Sequence, residues 1–349
     1  MQYRRLELKV GRKRLIAALL TCGGVLLASP TWCQAEQCTA VRLDAVGGPL
    51  HLVPVADQAT LDICQFVAVT DLIEAARFYE NKRNSPANYL SHLSVASQYY
   101  FRRGKFERKL RTHEILTVLS DTPICTADKV QATLGQNADG FCEDARLYLN
   151  SQGVRRVAVT GTEQCRAVLD EFGRPERTSS ALTSLFGVPK SLPEALAARV
   201  SAACSDSTYT LSKPQVSEII GSRVTDFDQR VANYGRYVDS SLDAVNPMPV
   251  VVRYCANVLR DRNSTGVDPA DGKWDSDLCN VGGNPDNHVW HASVVIGRRP
   301  SKGGCDYLVK NSWGSTCGGY DKRLECESGK IWVNGRDLWR NTSSVTILK

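Results

Sequence analysis

The sequence lacks an apolar run long enough to span a membrane, because Leu15–Ala28 has only 14 residues where about 20 are needed. It also lacks an excess of charge outside residues 1–35: beyond them, 37 Lys and Arg face 36 Asp and Glu. A chain so close to neutral has no electrostatic basis for binding nucleic acid or an anionic membrane. Repeats and low-complexity tracts are absent too. The 42% hydrophobic and 23% charged residues exclude a fibrous or disordered protein.

Residues 1–35 have the order of features found in a secretory signal. Six basic residues precede the apolar run Leu15–Ala28, and Ala35 supplies a small residue for cleavage. The sequence therefore predicts a cleaved signal peptide, a secreted or periplasmic protein and no stable membrane insertion. Weaker alternatives are a twin-arginine signal at Arg4-Arg5, a lipoprotein site at Cys22 and a retained anchor.

Cysteine is abundant, with 13 residues. Whether these cysteines form disulfides depends on whether the protein is exported. Cleavage after Ala35 would leave 11 cysteines in an oxidising compartment, where thiols tend to pair. An odd number leaves one thiol outside any disulfide. Cys317 and Cys326 flank a polar loop and are expected to close it. Ten cysteines could form five disulfides: Cys38, Cys125, Cys142, Cys165, Cys204, Cys255, Cys279, Cys305, Cys317 and Cys326.

The pattern of apolar residues changes from helical to β-like along the chain. Helices are expected over four segments, namely Cys64–Tyr79, 86–117, Cys142–Gln152 and Asp226–Ala244. Strands are expected over Pro249–Tyr254, Ala292–Ile296, Tyr307–Lys310 and Lys330–Val333. The sequence therefore predicts an α+β protein with two lobes and a cleft between them.

The candidate chemistry begins with Cys64 at the start of the first helix, where the helix dipole favours a thiolate. His291 opens a strand in the second half and could exchange a proton with that thiol. The Asn311 side-chain oxygen could fix the orientation of the imidazole, and Trp313 could keep water from that bond. Gln58, six residues before Cys64, could donate to an oxyanion beside the Cys64 backbone N–H.

These residues resemble those of the papain-like (C1) cysteine peptidases. The resemblance is carried by Asn311-Ser312-Trp313-Gly314 after the strand Tyr307–Lys310, by His291-Ala292 before an apolar strand, and by Gln58 six residues before Cys64. Further matches are Glu74 ten residues after Cys64, Leu93-Ser94 after the first helix, and Asp139-Gly140 before Cys142. The resemblance covers roughly residues 54–165 and 226–335.

The resemblance implies a papain-like two-lobed fold, with a helical left lobe over residues 58–173 and a β-barrel-like right lobe over residues 226–349. Residues 36–57 would form a lead segment and residues 174–225 an insertion or linker. The implied enzyme is a cysteine peptidase that cleaves protein or peptide substrates through a thioester and needs no cofactor or metal. Its nucleophile would be Cys64 and its base and acid His291, with Asn311 and Gln58 in support.

The resemblance also assigns substrate-binding positions. Gly140 and Asp139 would hold the substrate backbone, and Ala292 would line the pocket for the substrate's second side chain. Trp313 would cover the His291–Asn311 bond. The resemblance further implies a disulfide between Cys125 and Cys165 in the left lobe.

Several departures from the family pattern leave alternatives open. Leu61 replaces a cysteine of the family motif, Asp62 brings a negative charge near Cys64, and Asp139 replaces a glycine. One alternative is therefore an inactive papain-fold binding protein, and another is a thiol acyltransferase or amidase.

Two further alternatives concern the histidines. A zinc site that uses His288, His291, Cys279 and Cys305 is a weak prediction. His288 is also a rival for the base, but the residues that follow His291 fit the family pattern better.

Overall fold

The structure is a computed structural model that describes residues 38–58, 63–80, 88–103, 110–136, 198, 200–202, 204, 209–220, 227–260, 290–302 and 304–349. The predicted signal segment and the predicted helix Cys142–Gln152 lie outside these residues. The described residues belong to one compact unit, Gln37–Lys349. Within the described ranges, no helix has the length and apolar character that crossing a bilayer requires.

Along the described chain, most helices precede most strands. The helices are α1 (Cys64–Tyr79), α2 (His92–Arg103), α3 (Thr112–Leu119), α4 (Ala127–Gln136), α5 (Phe227–Leu242), α6 (Asn257–Arg260) and α7 (Gly335–Arg340). The strands are β1 (Val41–Arg42), β2 (Pro123–Ile124), β3 (Tyr209–Thr210), β4 (Val216–Ile220), β5 (Val250–Cys255), β6 (Trp290–Ser301), β7 (Gly304–Lys310), β8 (Glu325–Glu327), β9 (Lys330–Asn334) and β10 (Thr342–Leu348).

An antiparallel sheet forms the centre of the molecule. Its strands follow the order β4-β10-β5-β6-β7-β9-β8, and β1 pairs with β6 beside this path. In the part of the chain that is described, β4 and β8 end the path without pairing with each other, so the sheet is open and not a closed barrel. The α+β class predicted from the sequence is confirmed.

Helix α1 packs against β5 and β6 and is buried on most of its surface. Its residues are mainly apolar on all sides, which is the pattern of a helix in the core. The predicted bounds, Cys64 to Tyr79, are those of the structure. Helix α1, which begins with Cys64, therefore packs against the strand that begins with Trp290 and His291.

Three predictions about secondary structure were incomplete. The helical stretch expected over residues 86–117 contains two helices, α2 and α3, and α4 was not predicted. Residues 209–220, expected to be insertion or linker, contain β3 and β4. Strand β10 was also missed, because the polar residues of its sequence Thr-Ser-Ser-Val-Thr hide its β-strand pattern. Yet β10 lies between β4 and β5 in the sheet.

Disulfides confirm one predicted pairing and correct another. Cys317 and Cys326 are bonded as expected, and a second bridge joins Cys38 to Cys305. Cys125 is bonded to Cys204, so the pairing with Cys165 was wrong. The reason is the pairing of β2 with β3, which brings the segments that follow and precede them within disulfide range, with 5.2 Å between the Cα atoms of the two cysteines.

Candidate active site

Cys64 is the first residue of α1, and its side chain is buried apart from 8% of its surface. Among the described cysteines, it is the one that forms no disulfide. The first turn of α1 contains no acidic residue, so the positive end of the helix dipole acts on the thiol. A thiol at this position is favoured to ionise.

The start of α1 is held by backbone hydrogen bonds and not by a side-chain cap. Ile63 is the N-cap and makes no side-chain cap, while its carbonyl accepts from the amides of Phe66 and Val67. The Gln65 side chain does not reach back to the helix start. Its Oε1 accepts from the Thr112 hydroxyl at 3.0 Å, which joins α1 to α3. Asp62 lies outside the described residues.

His291 and Asn311 form the best-defined polar contact of the site. The Nε2 atom of His291 lies 2.5 Å from Oδ1 of Asn311, and both residues are buried. Asn311 Oδ1 also accepts from the Ser293 hydroxyl at 3.0 Å and from the Ser312 amide at 2.8 Å. Because this oxygen can only accept, Nε2 must carry the proton, and Nδ1 is the nitrogen left to act as a base.

A second set of contacts fixes the Asn311 amide. Its Nδ2 donates to the Tyr320 hydroxyl at 3.1 Å, and that hydroxyl donates to the Gly329 carbonyl at 3.2 Å. Ser293 in turn lies 3.0 Å from the Tyr254 hydroxyl. Both ends of the Asn311 side chain are therefore held, so its oxygen cannot turn away from His291.

Trp313 lies beside the His291–Asn311 bond. Its ring centroid is 5.1 Å from that of His291, and its other neighbour, Tyr320, stacks on it at 5.4 Å. The guanidinium of Arg260 lies over the Trp313 ring at 4.8 Å. These contacts place aromatic rings next to the imidazole.

Gln58 is held by the segment that follows Asn311. Its backbone N–H donates to the Ser312 carbonyl at 2.8 Å, and the Ser312 hydroxyl donates to Gln58 Oε1 at 2.5 Å. Gly314 also donates to the Ala56 carbonyl, and its φ of +78° and the close approach of Asp57 explain the need for glycine there. With Oε1 occupied, the amide presents its N–H₂ on the side opposite Ser312.

Tyr254 connects the two halves of the site. Its ring centroid is 5.9 Å from that of His291, and Cys64 is close enough to act on the ionisation of the Tyr254 hydroxyl. Burial keeps the pKa of that hydroxyl far above its ordinary value. Burial also lowers the pKa of His291 to about 4, against the opposing hydrogen bond to Asn311, and nearby Arg260 lowers it further. The imidazole is therefore neutral at neutral pH in the resting site.

The helix of Cys64 is joined to β7, the strand that ends just before Asn311, by a buried ion pair. Lys310 Nζ lies 2.7 and 2.8 Å from the two carboxylate oxygens of Asp71, and both side chains are at most 5% exposed. His92 lies in the same small cavity, and burial followed by the charge of Lys310 lowers its pKa to about 4. No local pattern in the sequence predicts this pair.

The other predicted positions have mixed outcomes. Ala292 is buried in β6 and pairs with Arg253 of β5. Gly140, Asp139 and the rival base His288 lie outside the described residues. Ser293, Ser312 and Tyr320, which support Asn311 and Gln58, were missed. Alternation along β6 could have indicated Ser293, since residues 291 and 293 share one face of the strand.

Within the described ranges, no group of three or more His, Cys, Asp or Glu side chains is arranged to hold a metal ion. The alternative zinc site required Cys305 as a thiolate, and that residue is bonded to Cys38. Its other cysteine, Cys279, lies outside the described residues.

Comparisons with known proteins give distant structural likenesses. No protein-family model matches the chain, and no curated protein matches it. A digestive procathepsin L 3 from the larval midgut of Tenebrio molitor is 14% identical, with a TM-score of 0.42, over 90% of this chain and 72% of that one. SERA5E from Plasmodium falciparum is 14% identical, with a TM-score of 0.40, over 86% of this chain and 91% of that one. These values are too low to assign an activity.

Proposed function

We propose that this chain is a secreted cysteine peptidase that hydrolyses peptide bonds through Cys64, His291 and Asn311. The observation that carries the proposal is the bond between His291 Nε2 and Asn311 Oδ1, because it leaves Nδ1 as the basic nitrogen of a buried, shielded imidazole. Cys64, which forms no disulfide, stands at a helix N-terminus near Tyr254, which also contacts His291.

The proposed reaction begins with transfer of the Cys64 proton to Nδ1 of His291. The thiolate attacks the peptide carbonyl, and the carbonyl oxygen becomes an anion that the Gln58 side-chain N–H₂ and the Cys64 N–H stabilise. The C–N bond then breaks as imidazolium returns the proton to the leaving amine, which leaves a thioester on Cys64. Water, deprotonated by His291, hydrolyses the thioester and restores the thiol.

The low pKa of His291 supports a thiolate–imidazolium pair that forms only when the Cys64 proton moves to His291. The low pKa of His291 makes the neutral imidazole the resting state, so the imidazolium needs a nearby thiolate as its counter-ion. Arg253 also lies close enough to Cys64 to interact with its charge. A cation beside the sulfur favours the thiolate.

Export is part of the proposal. Disulfides join Cys38 to Cys305, Cys125 to Cys204 and Cys317 to Cys326, and disulfides persist in oxidising compartments. We therefore expect a secreted or periplasmic enzyme that acts on protein or peptide substrates. N-terminal sequencing of the protein recovered from an oxidising compartment tests cleavage after Ala35.

An epoxide inhibitor of papain-like peptidases tests the proposed nucleophile. Oxidised full-length protein is treated with the epoxide, and the labelled residue is mapped by mass spectrometry. We expect labelling at Cys64 that is lost in His291→Ala and kept in the matched control His51→Ala. A folded protein whose Cys64 stays unlabelled would favour a binding protein, and a disulfide at Cys64 would overturn the proposal.

Hydrolysis must also be separated from acyl transfer. Peptide substrates are incubated with and without an added primary amine, and the products are identified by mass spectrometry. A peptidase gives the free acid as the main product, whereas an acyltransferase gives the amide of the added amine. Amide as the dominant product at low amine concentration would contradict hydrolysis.

A further inference from the structure

Arg253 is a cation of β5 that lies close enough to Cys64 to interact with its charge. It pairs across the sheet with Ala292 of β6 and with Ser344 of β10. Directly paired residues of antiparallel strands point to the same face, so two small side chains flank the long arginine.

The guanidinium of Arg253 contacts an aromatic ring and no described carboxylate. It lies 5.4 Å from the centroid of the Trp290 ring, and no carboxylate of the described residues lies within ion-pair distance. Other partly buried arginines of the chain behave differently: Arg298 binds Asp239 and Asp243, and Arg42 binds Asp44 and Glu327. A guanidinium offers five N–H donors in a fork that fits a carboxylate.

The charged groups around Arg253 do not neutralise it. Burial lowers its pKa, Cys64 and Glu218 oppose that effect, and Arg111 adds to it. Glu218 is already 2.6 Å from Nδ1 of His113. Arg260 adds another cation near His291, over the Trp313 ring. Asp57, beside Gln58, acts on the ionisation of the Tyr320 hydroxyl.

We propose that Arg253 selects substrates that carry a carboxylate next to the scissile bond, an inference that rests on the proposed function. Such a carboxylate would receive two hydrogen bonds from the guanidinium while the peptide carbonyl lies at Cys64. Its source is either an internal Asp or Glu side chain or the free C-terminus of a short peptide. Both have the same chemistry at Arg253.

Alkylation of Cys64 tests the charge without requiring hydrolysis. Iodoacetate carries a carboxylate and iodoacetamide does not. The rate of alkylation by iodoacetate divided by the rate with iodoacetamide therefore reports the electrostatic potential beside the sulfur. Each ratio is divided by that of free cysteine in the same buffer. We expect the ratio to fall about tenfold in Arg253→Gln, the size of one charge-assisted hydrogen bond, and to recover in Arg253→Lys.

Arg299→Gln is the matched control. Arg299 also stacks on a tryptophan, with its guanidinium 4.1 Å from the centroid of the Trp332 ring, but it lies eight residues beyond His291 on β6, about 26 Å along an extended strand. Its alkylation ratio should equal that of the wild type. Equal ratios in the wild type and in Arg253→Gln would overturn the assignment.

Peptide cleavage separates this inference from the proposed function and identifies the source of the carboxylate. One peptide series moves a single Glu through the positions around one bond, with an amidated C-terminus. A second series has Gln at the same positions and is made with both an amidated and a free C-terminus. Preference for Glu at one position, lost in Arg253→Gln and changed to preference for Lys in Arg253→Glu, supports an internal carboxylate.

The remaining outcomes are also decisive. Preference confined to peptides with free C-termini, and dependent on Arg253, supports the terminal carboxylate. Cleavage of Glu and Gln peptides at equal rates would overturn the inference and leave the peptidase proposal standing. No cleavage, with a Cys64 that reacts with neither alkylating reagent, would overturn both.

Discussion

At the residue scale, the account depends on one oxygen atom, Oδ1 of Asn311. It accepts from His291, Ser293 and the Ser312 amide. The sequence predicted the His291–Asn311 pair because both residues stand in recognisable motifs. It did not predict Tyr320, because a single tyrosine in a loop between two strands gives no local signal of its contacts. Ser293 was also missed, although it shares a face of β6 with His291.

Asn311→Ala should separate orientation of His291 from binding of substrate. With the acceptor lost, the imidazole can rotate and take the wrong tautomer, so we expect kcat to fall about 100-fold with a small change in KM. Steady-state kinetics on one fluorogenic peptide measures both. Asn334→Ala, which removes a cap at α7, is the control and should leave kcat unchanged. A fall in KM alone would contradict the prediction.

The proposed contact of Gln58 with the oxyanion predicts a large loss of kcat in one variant and a smaller loss in another. Gln58→Ala removes a donor to the developing anion, so kcat should fall about 10²- to 10³-fold. Ser312→Ala keeps that donor but frees Oε1, the atom that the Ser312 hydroxyl holds at 2.5 Å. Its effect should therefore be smaller and in the same direction. If Ser312→Ala lowers kcat more than Gln58→Ala does, Gln58 is not the donor.

At the scale of elements, α1 and β7 are held together by Asp71 and Lys310. The bounds of α1 could be predicted from its apolar residues, and those of β7 in part. Their contact could not be predicted, because Asp71 and Lys310 are 239 residues apart in sequence. Strand β10 pairs with both β4 and β5, and these long-range pairings could not be predicted either.

Breaking the Asp71–Lys310 pair on one side should destabilise the protein. Asp71→Asn leaves the Lys310 ammonium buried without its counter-ion, and we expect a loss of about 3 to 5 kcal/mol in the free energy of unfolding. The double variant Asp71→Leu with Lys310→Met removes both charges and should lose much less. Urea unfolding of the disulfide-intact protein measures both. A double variant as unstable as Asp71→Asn would show that charge burial is not the cause.

At the scale of the whole molecule, acid should weaken the fold through two buried histidines. His92 and His291 have pKa values lowered to about 4 by burial, below the ordinary 6.5. The unfolded chain therefore binds more protons between pH 6.5 and 4, so the unfolding free energy falls as the pH falls through that range. Each histidine contributes about 3 kcal/mol to this loss, and below pH 4 its contribution is flat.

His92→Leu tests this pH dependence at a position away from the proposed chemistry. The slope of unfolding free energy against pH should be smaller between pH 6.5 and 4 than in the wild type, whatever the effect on the absolute value. Urea unfolding at five pH values gives the slope. An unchanged slope would show that His92 is not held neutral in the folded state.

The α+β class, the principal strands and the two motif regions could be predicted from the sequence, because local patterns and motifs encode them. The Cys125–Cys204 bond could not, because it depends on the pairing of β2 with β3, whose two-residue strands have no recognisable pattern.

Direct detection of the acyl-enzyme tests the central claim. The full-length oxidised protein is mixed with an activated peptide ester, quenched in acid within seconds and analysed by intact-protein and peptide mass spectrometry. We predict one acyl group on Cys64, joined as a thioester, that disappears with time as free acid forms and is absent from Cys64→Ala. A folded wild-type protein that releases free acid without ever carrying an acyl group on Cys64 would contradict the account.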